Sequence, residues 1–125
     1  MSSGVIFFAH GSSVESANEA VRTVAAEAAR QAGVDHYEVA FLELAHPTLE
    51  EAVDRLMGGG VDRGVDRFVV VPYFLTLGIH LQRDLPALVS RIAVTRPNIH
   101  ISVTAPLDGH PALAALLADR ARAAL

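Results

Sequence analysis

The chain has 125 residues, about half of them apolar, with a formal charge of −4 and no cysteine. Such a chain fits one globular domain able to fold without disulfides, with no room for a second core, and any transition-metal site must use histidine and carboxylate. All ten basic residues are arginines scattered along the chain, which argues against nucleic acid or an anionic membrane as main partner but leaves room for a small anionic ligand in a local pocket.

Residues 1–4 carry no basic cluster, and the apolar run Val5–Ala9 is too short for a signal or membrane-spanning segment. With the missing cysteines, this predicts a cytoplasmic protein. Val5–Ala9 itself reads as a strand. It does not alternate polar with apolar, which is the mark of a strand buried on both faces of a parallel sheet. A helix follows, with Ala17, Val21, Val24, Ala25 and Ala28 on one stripe and Gly33 as its stop.

His36–Leu44 is a weaker strand. The next helix has Leu49, Val53, Leu56 and Met57 on its stripe, opens near Pro47 and is closed by Gly58, Gly59 and Gly60. Arg67–Pro72 is a second clear strand. The third helix carries Leu85, Leu88, Val89 and Ile92, with Asp84 as cap and Pro86 in its first turn. A last weak strand, Ile99–Thr104, leads to a helix whose stripe is Leu113, Leu116, Leu117 and Ala121.

Alternating strands and helices predict an α/β fold, a doubly wound four-stranded parallel sheet with helices on both faces. Right-handed crossovers favour the flavodoxin-like strand order 2-1-3-4. In such sheets ligands bind beyond the carboxyl ends of the strands, where the strand order reverses. His10 stands immediately after the first strand, Glu43 at the end of the second and His80 in the loop after the third, all at that edge.

Of the other histidines, His36 and His100 fall at strand beginnings on the opposite edge and read as surface or packing residues. His46 and His110 share the pattern His-Pro-x-Leu ahead of a helix, a context for capping or chain entry. His46 also lies three residues past Glu43, on the functional edge. For His10 the alternatives are capping of the following helix or an anion site made by Gly11-Ser12-Ser13 backbone N–H groups. His80 sits among apolar residues, Pro72 to Asp84, which suits a wall over a flat apolar ligand or a loop folded onto its own core. A glutamate and two histidines without cysteine suit cobalt, iron, nickel or zinc.

Gly58–Gly64 is no phosphate loop, because no Gly-Lys-Ser/Thr follows, and Gly11-Ser12-Ser13-Val14-Glu15 is not a hydrolase elbow. A phosphohistidine phosphatase would need arginine before His10-Gly11, where Ala9 stands. ATP use and serine chemistry are disfavoured.

Taken together, HGS after the first strand, FLELAHPTL across the second, VVVPYFLTLGIHLQRDLP across the third and APLDGHPAL after the fourth resemble the short, single-domain sirohydrochlorin chelatases, the CbiX-type class II tetrapyrrole chelatases. The resemblance runs over nearly the whole chain. It implies that His10 binds a divalent metal and accepts macrocycle protons, that His80 is the second metal ligand, and that Glu43 lines the cavity and assists metal or proton handling. It further implies that Leu75, Thr76, Leu77, Gly78 and Ile79 contact the tetrapyrrole, with His46 at another substrate-contact position. Two positions depart from the pattern: Ser13 where many relatives carry arginine, and Asp108 where many carry glycine.

The implied reaction strips water from Co²⁺, Fe²⁺ or Ni²⁺ and removes two pyrrole protons, without ATP. Neutral imidazole serves the first need, and a group titrating near neutral pH the second. A carboxylate-rimmed macrocycle needs apolar walls, which Phe74, Leu75, Leu77 and Ile79 can supply. It also needs a polar rim, here Arg83 and the N–H groups around Gly11 and Ser12. Because family members with a doubled chain set two such domains face to face, a chain of half that length is expected to form a symmetric homodimer. Two other readings stay open at this stage: a metal or tetrapyrrole carrier without turnover, and a domain whose histidines only cap helices.

Overall fold

The computed structural model describes residues 2–58 and 64–125. Four strands, β1 (Ser2–Ala9), β2 (Tyr37–Phe41), β3 (Val65–Pro72) and β4 (His100–Val103), alternate with four helices. The helices are α1 (Glu15–Ala32), α2 (Leu49–Gly58), α3 (Ile79–Val94) and α4 (Pro111–Ala124). The sheet is wholly parallel in the order β2-β1-β3-β4, as expected, so the order reverses between β1 and β3.

β1 lies between two neighbours and is covered on both faces, which is why Val5–Ala9 is apolar without alternation. Ile6 and Phe8 pack with Ala40, Phe68, Val70, Leu49, Val53, Leu56, Leu85 and Ile92 on the side of α2 and α3. Phe7 and Ala9 pack with Val39, Phe41, Ala25 and Ala29 on the side of α1. Each such large side chain taken out of water stabilises the fold by about 1.5–3 kcal/mol, so β1 ties both layers together. Gly33, at φ 70°, ends α1 in the left-handed conformation expected of a glycine stop.

Several boundaries differ from expectation. β2 ends at Phe41 rather than Leu44, because the Phe41 N–H donates to the Pro47 carbonyl (2.8 Å) and the chain loops back on itself. Glu43 therefore lies beyond the strand. α3 starts at Ile79, after Gly78, so His80 belongs to its first turn and is not in a loop. Asp84 and Pro86 are interior to that helix and neither caps nor opens it. Leu81 extends the stripe of Leu85, Leu88 and Ile92 backwards by one turn, and its packing on the core outweighs the preference of Pro86 for a helix start.

On α1 the inward residues are Asn18, Ala25 and Ala29, with Val21 and Ala28 partly buried, whereas Ala17 and Val24 are exposed. No residue of α4 is buried, so the stripe Leu113, Leu116, Leu117 and Ala121 does not close on this chain's core. His110 caps α4, its Nδ1 accepting the Ala112 N–H (3.0 Å). Gly59 and Gly60, expected to close α2, and the middle of the Gly58–Gly64 stretch lie outside the described residues.

Candidate active site

The carboxyl ends of β1 and β2 carry the pair that the sequence singles out. His10 follows β1 directly, and the chain after β2 stays tied to it, with Leu42 N–H donating to Ala9 O (2.8 Å) and Glu43 N–H to His10 O (3.1 Å). Leu44, at φ 66°, then turns the chain away. These ties bring His10 Nε2 to 3.3 Å from Glu43 Oε1, with both side chains somewhat over half exposed. The other ring nitrogen, Nδ1, lies 3.1 Å from the Gly11 carbonyl. Both nitrogens of His10 thus face oxygen acceptors, and a neutral ring has one N–H to offer them. The Nε2–carboxylate contact is of the kind that a cation can occupy.

Gly11 is required by contact as well as by conformation. Its φ is 93°, and a Cβ there would fall 1.9 Å from the Glu43 carbonyl oxygen. The next residue is held from below by Asn18, a group the sequence reading did not single out. Asn18 is 2% exposed. Its Oδ1 accepts the Ser12 N–H (2.9 Å), and its Nδ2 donates to the Ser12 carbonyl (2.8 Å) and to Glu15 Oε2 (3.3 Å). The signal was present: Asn18 is in register with Val21, Ala25 and Ala29 on the inward face of a helix, where a polar residue must find partners. The Ser12 N–H is consequently not available to an anion, contrary to expectation, and the Val14 N–H is taken by Ser12 Oγ (3.0 Å).

His80 shares the edge but is not gathered into a cluster. It is exposed in the first turn of α3, with Arg83 Nη2 3.4 Å from its Nδ1 and Arg83 Nε donating to Asp84 Oδ1 (3.3 Å). Among the described residues no three histidine, aspartate or glutamate side chains stand close enough together to hold a metal ion. The chain after β3 is braced by the one after β4, since Leu107 and Asp108 donate backbone N–H bonds to Phe74 and Leu75 (3.0 and 2.8 Å). Along it Leu75, Thr76, Gly78 and Ile79 are exposed and Leu77 is half-buried, an apolar ledge beside the histidines.

His46 is exposed on the same loop as Glu43, its Nδ1 2.7 Å from Glu51 Oε1. That carboxylate also accepts the Thr48 N–H (2.8 Å), and the Glu51 N–H donates to Thr48 Oγ1 (3.2 Å), closing the first turn of α2. The His46 bond, with the Thr48 N–H second, holds the Glu51 carboxyl at about 2, well below its usual range. A cleft of about 430 Å³ opens nearby between Phe8, Leu42, Leu81 and Leu85, but His10, Glu43, His46 and His80 do not line it. These four residues stand on an open edge. No helix among the described residues is long and apolar enough to cross a membrane.

The chain is similar to several known proteins. A family model described as CbiX matches residues 4–124. A sirohydrochlorin cobaltochelatase of Methanopyrus kandleri is 37% identical over 82 residues, covering 66% of this chain and about half (54%) of that protein. One of Sulfolobus acidocaldarius is 30% identical over 122 residues, 98% of this chain and 92% of the relative. Among solved structures, a CbiX protein from Marinobacter aquaeolei VT8 superposes with a TM-score of 0.82 at 31% identity, covering 96% of this chain and 94% of that one. The sirohydrochlorin chelatase SirB of Bacillus subtilis, in complex with cobalt, gives 0.73 at 28% identity over 85% of this chain and only 44% of its own.

Proposed function

The chain belongs to the CbiX family, and from that premise we propose that it is a single chelatase domain that inserts a divalent metal, Co²⁺, Fe²⁺ or Ni²⁺, into sirohydrochlorin without ATP. The observation that carries this reading is the His10–Glu43 pair at 3.3 Å, beyond the carboxyl ends of β1 and β2, the side of a parallel sheet on which such folds hold ligands. The relatives that match are chelatases by name, which favours turnover over carriage.

His10 Nε2 and the Glu43 carboxylate would hold the divalent ion, and His80, exposed on the same edge and outside their contact, would be the second nitrogen donor that the family resemblance implies. Neutral imidazole replaces part of the ion's water shell, and the carboxylate offsets its charge or accepts a proton. Each insertion exchanges one divalent ion for two pyrrole protons. The exposed residues Leu75, Thr76, Gly78 and Ile79, with Leu77, bear on the face of the macrocycle, and His46 contacts it from the neighbouring loop. Nitrogen and oxygen donors of this kind do not choose among the three metals, so supply decides.

The protein works in the cytoplasm as a symmetric homodimer. The chain spans under half of the cobalt-bound SirB, and the uncovered leucine face of α4 gives a second copy a surface to bury. The test is an anaerobic absorbance time course with sirohydrochlorin and each metal in turn. Wild type is expected to exceed the spontaneous rate with at least one metal, and His10→Ala and His80→Ala to fall to the blank. A wild-type rate equal to the blank with every metal overturns the reading.

A further inference from the structure

Metal insertion releases two protons per ion, and a ring nitrogen that binds the metal through its lone pair has none left for a proton. While His10 and His80 hold the ion their lone pairs are not free, and a further acceptor beside Glu43 lets both protons leave as the ion enters the ring. The loop after β2 supplies a candidate. His46 lies three residues from Glu43, a chain separation that spans at most about 11 Å. Both ends of the loop are pinned, by Phe41 N–H to Pro47 O (2.8 Å) and Glu43 N–H to His10 O (3.1 Å).

The direction in which His46 is held matters more than its proximity. Glu51 Oε1, 2.7 Å from His46 Nδ1, already accepts the Thr48 N–H at 2.8 Å. An ionised carboxylate has no proton to give, so the ring nitrogen facing it must carry the hydrogen. In the neutral ring the lone pair is then on Nε2, the nitrogen on the far side from α2. The side chain is 74% exposed, so that nitrogen is open to a ligand on the edge.

We propose that Glu51 is a positioning residue that fixes His46 in the Nδ1–H form and so makes its Nε2 the acceptor for one of the two protons leaving the macrocycle. The role rests on the chelatase reading; the tautomer does not. In the step, a pyrrole N–H bond breaks, its electron pair stays on the nitrogen to bind the metal, and the proton bonds to His46 Nε2. The ring becomes an imidazolium whose Nδ1–H still donates to Glu51, and that carboxylate offsets the new charge. The exposed ring then passes the proton to water. Glu51 does not touch the substrate.

The experiment uses ¹⁵N-labelled full-length protein and long-range ¹H–¹⁵N spectra of the imidazoles, with the His46 signals assigned by their loss in His46→Gln. Wild type is expected to show protonated Nδ1 and bare Nε2 at His46. Glu51→Ala is expected to lose that preference. Glu51→Gln, whose amide oxygen still accepts, is expected to retain part of it. Thr48→Ala removes the cap without touching the pair, so it should lower thermal stability and leave the tautomer alone.

In steady-state assays Glu51→Ala is expected to lower kcat about tenfold with KM for sirohydrochlorin unchanged. That is less than the usual 10²–10⁴ for a proton-transfer group, because water reaches this ring. Glu51→Gln should recover part of the loss, and Thr48→Ala should show none. A wild-type His46 protonated at Nε2 overturns the proposal. So does an unchanged kcat in Glu51→Ala, or a loss shared equally by Thr48→Ala. Wild type without turnover on any metal overturns the chelatase reading and the acceptor role with it, while the tautomer result stands on its own.

Discussion

Replacing Asn18 by alanine removes the only buried polar side chain among the core residues of the described chain, and the structure lets the cost be worked out. Two neutral hydrogen bonds to the Ser12 backbone, at 2.9 and 2.8 Å, are lost, about 1 kcal/mol each. The third, to Glu15 at 3.3 Å, ends on an exposed carboxylate and adds little. Alanine is the better helix former by about 0.5 kcal/mol, which offsets part of the loss. The net expectation is a destabilisation of about 1.5–2 kcal/mol, or a fall in Tm of about 6–8 °C for a domain of this size. Because Ser12 lies two residues from His10, the variant should also lose metal insertion out of proportion to its stability at the assay temperature. Asn18→Asp keeps an acceptor for the Ser12 N–H but loses the donor to the Ser12 carbonyl and faces Glu15, so it should be no better than alanine. Urea melts by circular dichroism and the anaerobic chelatase assay measure the two effects. A destabilisation below about 0.5 kcal/mol with an unchanged insertion rate would refute the claim that Asn18 holds the His10 loop.

Gly11→Ala forces a side chain to within 1.9 Å of the Glu43 carbonyl oxygen at a positive φ; it should cost more than about 2 kcal/mol in a urea melt and separate His10 from Glu43. Glu51 has a depressed folded pKa, about 2 against an ordinary 4.5. It therefore contributes stability above the ordinary value that disappears as pH falls through the folded one. Wild type should lose stability between pH 4.5 and 2 more steeply than Glu51→Gln, and parallel Tm curves over that window would contradict this. Leu116 and Leu117 are 50% and 69% exposed on α4. Leu116→Asp with Leu117→Asp should leave the melt of the isolated fold intact but halve the mass seen by light scattering; an unchanged mass would place the dimer contact elsewhere.

The family resemblance was legible in the motif blocks, and the fold in their surroundings. Apolar runs without alternation in Val5–Ala9 and around Val69–Val71 read as strands covered on both faces, which holds for β1, whereas in β3 Val69 and Val71 stay half-buried between fully buried Phe68, Val70 and Pro72; the alternation with helices left few topologies. Strand order then sent His10 and Glu43 to one edge, because chain direction alone fixes which end of a parallel strand a residue follows. The start of α3 was misread because Pro86 and Asp84 are strong local signals, while the evidence for an earlier start was a single packed leucine, Leu81.

What only the tertiary structure decided are relations between segments distant in sequence or equal in local pattern. The 3.3 Å approach of His10 to Glu43 depends on backbone bonds between the ends of β1 and β2. The employment of the Ser12 N–H depends on a side chain one helical turn into α1. The exposure of α4 could not be read from its leucines, since a helix that packs on its own sheet and one that awaits another surface have the same period. Periodicity names the apolar face of an element, and only the arrangement of the other elements says what covers it.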